Sequence, residues 1–256
     1  MNKRYLLTGS NGAVGILFFE TLKHLGKPVQ SLLRDGDTDS WSLNWSQLFF
    51  EHKNSLVPAD LVVIHLAIPP QPRSSKVMDR YIQNTLELAA DVRKANGEFW
   101  FVSSLSAYQG NPSLYSQHKC LLEKEILDFG GNVLKLGLVT SDVANSSFQR
   151  IRKLTRLFPC EILSKKDAVY YLTSVENIRT WLVKRTSPSP LTRTFDICAD
   201  FRSKSYTDVF PFGGYPVASF FPFLVLVRLI RSFVHAHNNY VFDPIVNFYY
   251  GMRINP

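Results

Sequence analysis

Apolar positions along this chain fall into two patterns that alternate. Short unbroken or alternating runs, bounded by turn residues, give way to longer stretches with apolar residues every three or four positions. Arg4–Thr8 reads as a first strand, and Ala13–Leu25 as the helix after it, ended by Gly26 and Pro28. Val29–Leu33 is a second strand, and Leu61–Leu66 (LVVIHL) is a continuous run of the kind buried on both faces. Ser74–Ala95 then reads as a long helix and Phe99–Ser103 as a strand. Leu114–Phe129 is a helix stopped by Gly130-Gly131, followed by strand Val133–Leu138. Val169–Leu172 and Arg193–Cys198 read as strands flanking helix Val175–Lys184. Strand and helix alternating in this way predict βαβ units, and so an α/β fold on a doubly wound parallel sheet. No internal repeat is visible.

The first strand runs directly into Thr8-Gly9-Ser10-Asn11-Gly12-Ala13-Val14-Gly15. A strand, a glycine turn and a helix start place backbone N–H groups where a pyrophosphate can lie on them. Gly9 permits the tight turn, Gly12 the close approach of phosphate, and Gly15 the packing of helix on strand. Glycines also collect in loops for turn reasons alone. It is the position after the first strand that marks residues 9–15 as a dinucleotide site.

Two further features carry chemistry. Tyr115 and Lys119 stand four apart on a predicted helix, hence on one face. A phenol titrates near ~10, too high for a base at neutral pH, and an ammonium one turn away favours the phenolate. The same ammonium can hydrogen-bond a nicotinamide ribose. Upstream, the strand ending in Ser103-Ser104 presents hydroxyls at its carboxyl end, where ligands of open parallel sheets lie. Ser104 is placed to orient a substrate oxygen toward Tyr115. Ser103 and Ser106 compete for that role, and each could instead cap a turn.

With 256 residues, 45% hydrophobic and 20% charged, the chain can bury a large core and is not disordered. Its formal charge of +8 suits an anionic ligand. No basic block interleaved with aromatics appears, so nucleic acid is not expected as a partner. Cys120, Cys160 and Cys198 lack zinc or disulfide spacing, and none of the six histidines has metal-ligand spacing, so no metal is assigned. The chain enters its first strand without an apolar leader, which reads as cytoplasmic. Tyr215–Val227 is apolar, interrupted by Pro216 and Pro222, and shorter than the ~20 residues of a bilayer crossing. With Arg228 and Arg231 it reads either as a buried lid or dimer surface, or as a peripheral membrane contact through 215–231.

Together these features resemble the extended short-chain dehydrogenase/reductase family, the NAD(P)-dependent epimerase/dehydratase group acting on nucleotide sugars. Gly9, Gly12 and Gly15 match its TGxxGxxG, Tyr115 and Lys119 its YxxxK, and Ser103-Ser104 through Tyr108 its SSxxxYG. His65-Leu66-Ala67 is similar to its HLA, and Gly251–Pro256 to its lGwrP. The resemblance implies a Rossmann domain over 1–165, with sheet residues from about 166–200, and a small substrate or lid lobe over 201–256. It implies Tyr115, Lys119 and Ser104 as catalytic residues. Leu66 and Ala67 would line the cofactor, and Asn84 would steady the site. It further implies a nucleotide-sugar substrate and homodimers formed through two long helices. The family's dehydratases carry an acidic pair where this chain has Leu105 and Ser106, which disfavours dehydration. Between Ser104 and Tyr115 the chain is shorter than in typical sugar-nucleotide epimerases. Arg34, at the end of strand two, suits the 2′-phosphate of NADP, while the neighbouring Asp35 suits NAD. A non-catalytic NAD(P)-binding sensor or scaffold is the alternative from another functional class.

Overall fold

A computed structural model of the chain describes residues 3–32, 61–68, 75–143, 146–157, 168–186, 194–202, 204–209 and 252. Along them run β1 (Arg4–Thr8), α1 (Ala13–His24), β2 (Val29–Leu32), β3 (Leu61–His65), α2 (Ser75–Lys94) and β4 (Glu98–Ser104). They continue with α3 (Leu114–Asp128), β5 (Asn132–Leu136), β6 (Leu138–Val139), α4 (Ser147–Leu157), β7 (Leu172–Thr173), α5 (Val175–Thr186), β8 (Phe195–Cys198) and α6 (Tyr206–Val209).

Six strands form one parallel sheet in the order β2-β1-β3-β4-β5-β8. β1 pairs with β2 on one side and β3 on the other, with Leu6 beside both Gln30 and Val63. The unbroken apolar run of β3 is explained by its place inside the sheet, where every residue from Leu61 to His65 is buried. Burying a side chain such as Ile64 contributes roughly 1.5–3 kcal/mol. β5 is buried throughout for the same reason. Helix α1 lays Phe18 and Leu22 inward, and the Phe18 ring meets Trp181 of α5 edge to face at 6.2 Å. Trp181 in turn meets Trp100 of β4 at 4.9 Å and donates its indole N–H to Asp196 of β8. Arg185 closes that group with two hydrogen bonds to the same Asp196 oxygen.

The chain divides into two compact units, residues 1–103 with 121–135 and 175–198, and residues 104–120 with 136–174 and 199–256. Within the second unit, β6 and β7 form a two-stranded parallel sheet, Leu138 beside Leu172.

Element boundaries differ from the sequence reading in one informative place. Val133–Leu138, expected as one strand, is two: β5 ends at Leu136, and Leu138 begins β6 in the other sheet. Gly137 is the pivot. Its N–H turns to the Thr173 hydroxyl at 2.8 Å, and a Cβ there would strike the Tyr171 carbonyl. Likewise, in the expected strand Val169–Leu172, Tyr170 makes only an isolated bridge to Lys204, and regular pairing starts at Leu172. Helix α4 had no counterpart in the sequence reading. Arg34, Asp35, Cys160, residues 215–231 and Gly251 lie outside the described residues.

Candidate active site

In the first unit the strand order reverses at β1 and β3, the switch point at whose carboxyl ends ligands of open α/β sheets bind. Thr8 and His65, the last residues of those strands, are register partners. The glycine turn leaves from one and Leu66-Ala67 from the other. Gly9 takes φ +67°, and a Cβ on it would sit 2.7 Å from the Ala67 backbone. The two strand exits therefore touch at a point where only glycine fits. Helix α1 then begins at Ala13 behind Gly12, with no side-chain cap and no acidic residue in its first turn. Its leading N–H groups carry the positive end of the helix dipole without an internal acceptor. Beside them the Ser10 hydroxyl is buried and has no hydrogen-bond partner among the described residues. Uncapped amides and an orphaned hydroxyl form a donor set that fits a phosphate anion.

A directed chain of hydrogen bonds fixes the β3 exit. The Ala67 N–H donates to Thr8 Oγ1 at 3.1 Å, and that oxygen lies 2.9 Å from His65 Nδ1. His65 Nε2 lies 3.1 Å from Thr85 Oγ1, whose proton goes to the Tyr81 carbonyl at 2.8 Å. Because Thr85 spends its proton on that carbonyl, the imidazole carries its hydrogen on Nε2 and accepts from Thr8 on Nδ1. Tyr81 completes the ring by donating its phenol to the Ala67 carbonyl at 2.8 Å and stacking on His65. His65 thus holds Ala67 in place from behind. Asn84 sits half-buried on α2 next to Thr85. Thr8 and Thr85 were not singled out from the sequence, because threonine is unremarkable in a strand or helix until its partner is known.

In the second unit, Lys119 is buried on α3 and its Nζ stands 5.8 Å from the Tyr115 ring centroid. Tyr115 is half-buried in the first turn of that helix. The phenol and the ammonium are therefore on one face. Ser104, half-buried, accepts the Ser106 N–H at 3.2 Å, and its hydroxyl pairs with that of Ser106 at 2.8 Å. Ser103, in the first unit, is fully engaged elsewhere: its hydroxyl donates to the Glu123 carboxylate. Glu123 also pairs with the buried Lys135 ammonium at 2.9 Å. Of the three candidate hydroxyls, Ser104 alone is more than marginally exposed. Glu123 was legible in principle, as the next step of the four-residue spacing from Tyr115 through Lys119.

Cys198 is buried, which disfavours its thiolate. Burial, reinforced by the Asp196 carboxylate, pushes its thiol up to about 12. Among the described residues no group of three or more His, Cys, Asp or Glu could hold a metal ion, and no helix is long and apolar enough to cross a membrane.

No family model and no curated protein matches the sequence. Solved structures do match the fold. The dTDP-4-dehydrorhamnose reductase of Bacillus anthracis, in complex with NADP, aligns with a TM-score of 0.61 at 15% identity over 91% of this chain and 82% of its own. WbmG of Bordetella bronchiseptica, in complex with NAD and UDP, gives 0.62 at 17% identity over 82% and 77%. The UDP-N-acetylglucosamine 4-epimerase of Bacillus cereus gives 0.60 at 15% identity over 81% and 79%. What this chain shares with these three proteins is the Rossmann-type fold.

Proposed function

We propose that this chain is an NAD(P)-dependent epimerase or reductase of the extended short-chain dehydrogenase/reductase type, acting on a nucleotide sugar or related glycosyl substrate. The observation that carries the reading is the buried Lys119 ammonium beside the Tyr115 ring, in a unit that also holds the half-buried Ser104. The uncapped glycine turn and the orphaned Ser10 hydroxyl support the cofactor half of it. So do the NADP, NAD and UDP bound by proteins of similar fold.

A nicotinamide, when bound, supplies or accepts hydride. Tyr115 moves the proton of the reacting hydroxyl. Lys119 favours the phenolate by its charge and holds the ribose hydroxyls, and Ser104 donates to the reacting oxygen and orients it. The backbone of Gly9, Asn11, Gly12, Ala13, Val14 and Gly15, with the Ser10 hydroxyl, holds the pyrophosphate. Leu66 and Ala67 line the cofactor, and Asn84 steadies the site. Arg34, by its place in the sequence, takes the 2′-phosphate, so that NADP(H) is used ahead of NAD. Residues 215–231 are the segment that would meet a membrane surface, and α2 with α3 the faces through which two copies would pair.

One pair of measurements tests the reading. Native mass spectrometry of the purified protein should find a nicotinamide dinucleotide and a nucleotide sugar retained. Tyr115→Phe should cut turnover on that sugar by about 10²–10⁴-fold, the usual worth of a positioned proton donor, while cofactor affinity stays near wild type. A variant turning over at the wild-type rate would remove Tyr115 from the catalysis, and a wild type that retains the dinucleotide but turns nothing over would leave a binding protein.

A further inference from the structure

The short connection between Ser104 and Tyr115 contains a buried polar knot that the catalytic scheme does not use. Ser106 is its hub. Its N–H and hydroxyl face Ser104, at 3.2 and 2.8 Å. Its carbonyl accepts two hydrogen bonds at 2.8 Å, one from Asn111 Nδ2 and one from the hydroxyl of Ser116, the residue after Tyr115. Asn111 also works in the other direction: its Oδ1 accepts the Ser113 N–H at 3.0 Å. Ser113 in turn caps α3, its hydroxyl accepting the Ser116 N–H at 3.3 Å. Ser106, Asn111, Ser113 and Ser116 are all buried, at 3, 2, 0 and 0 percent of their free exposure. Surface loops are normally solvated and variable, so four buried polar side chains in a connection this short demand an explanation.

We propose that Asn111 and Ser116 are positioning residues that clamp the first turn of α3 onto the Ser106 carbonyl, and so fix Tyr115 relative to Ser104 and Lys119. The inference rests on the catalytic reading given above. Tyr115 is the second residue of α3, in the turn that frays first when its cap is lost. Of the two hydrogen bonds to the Ser106 carbonyl, one comes from that turn itself, through Ser116, and the other from Asn111, which also holds the capping residue Ser113. A loop long enough to fold over a substrate would have no such restraint. The short connection therefore trades a substrate-facing loop for a rigid link between the two oxygen-bearing side chains.

Three variants test this. Asn111→Asp keeps the acceptor for Ser113 and removes the donor to Ser106; Ser116→Ala removes the second donor; Ser116→Thr restores a hydroxyl. For the first two we expect kcat to fall about tenfold or more, as small misplacements of reacting groups do. KM and cofactor affinity should change less than twofold, and Ser116→Thr should stay near wild type. A second readout needs no turnover: the phenol of Tyr115, titrated by absorbance against a Tyr115→Phe background, should move toward the ordinary tyrosine value in Asn111→Asp and Ser116→Ala. That shift together with an inactive wild type would retain the clamp and remove the catalytic reading. Unchanged kcat with an unmoved phenol overturns the clamp, as does a loss of kcat that Ser116→Thr fails to rescue.

Discussion

An ideal Cβ built at Gly15 would meet backbone at three points: the carbonyl oxygen and carbon of Gly9, and Ser10 Cα, the last at 2.7 Å. None of these is the movable end of a side chain, so a methyl group there must push α1 off the turn after β1. At Gly26 the opposite holds. A Cβ finds nothing within 4 Å, but the backbone stands at φ +65°, which L side chains resist. Gly15→Ala should therefore cost about 1–3 kcal/mol by overpacking and weaken the proposed cofactor site with it. Gly26→Ala should cost about 1–2 kcal/mol by backbone strain and leave the site alone. Asparagine separates the two mechanisms, because it tolerates the left-handed region yet is larger than alanine. Urea denaturation should show Gly26→Asn recovering part of the loss and Gly15→Asn deepening it. Equal stability of Gly15→Ala and wild type would mean that α1 does not pack on the turn as described.

At the scale of elements, the pair Glu123–Lys135 ties α3 to β5, and Glu123 to Ser103 ties α3 to β4. Both charged side chains are at least nine-tenths buried. A charge left alone there is far worse than no charge at all. Lys135→Met should cost about 3–5 kcal/mol by stranding the carboxylate, and the double change Glu123→Leu with Lys135→Met should recover most of that. Chemical denaturation of the two single variants and the double closes the cycle. Additive losses would show that the pair does not interact. How far these elements are visible in the sequence follows from the same physics. β3 declares itself because strands inside a parallel sheet are apolar on both faces, whereas β5 buries Asn132 and Lys135 among its apolar residues and its end at Leu136 is not visible in the pattern. Helix α4 hides: Phe148, Ile151 and Leu154 recur every third position among Gln149, Arg150, Arg152 and Lys153, a thin stripe in a strongly cationic segment. Its one clear signal is Ser146, whose hydroxyl accepts the Gln149 N–H as a helix cap. Tyr115, Lys119 and Ser104 are legible because spacing alone puts residues on one face or at one strand end. The Ser106–Asn111–Ser116 knot is not, because serine and asparagine in a connection read equally well as solvated turn residues until burial is known.

At the scale of the whole molecule, the proposed cofactor should act as a stabiliser whether or not catalysis follows. A ligand that binds only the folded chain adds RT ln(1 + [L]/Kd), which is about 2.7 kcal/mol at a hundredfold excess over Kd. For a chain of 256 residues this corresponds to a rise in melting temperature of about 5–11 °C. NADP(H) should give the larger rise at equal concentration if Arg34 takes the 2′-phosphate, and Arg34→Ala should bring NADP(H) down to the level of NAD(H). The formal charge of +8 adds a second signature. Attraction of a basic protein for a polyanionic dinucleotide is screened as ionic strength rises, so the stabilisation should shrink between 0.05 and 0.5 M salt, where the screening length falls to roughly half its value at 0.1 M or less. Adenosine, which lacks the phosphates, should give little shift and little salt dependence. A melt unmoved by either dinucleotide at millimolar concentration would remove the glycine turn from consideration as a dinucleotide site, and no result on Tyr115 could restore it.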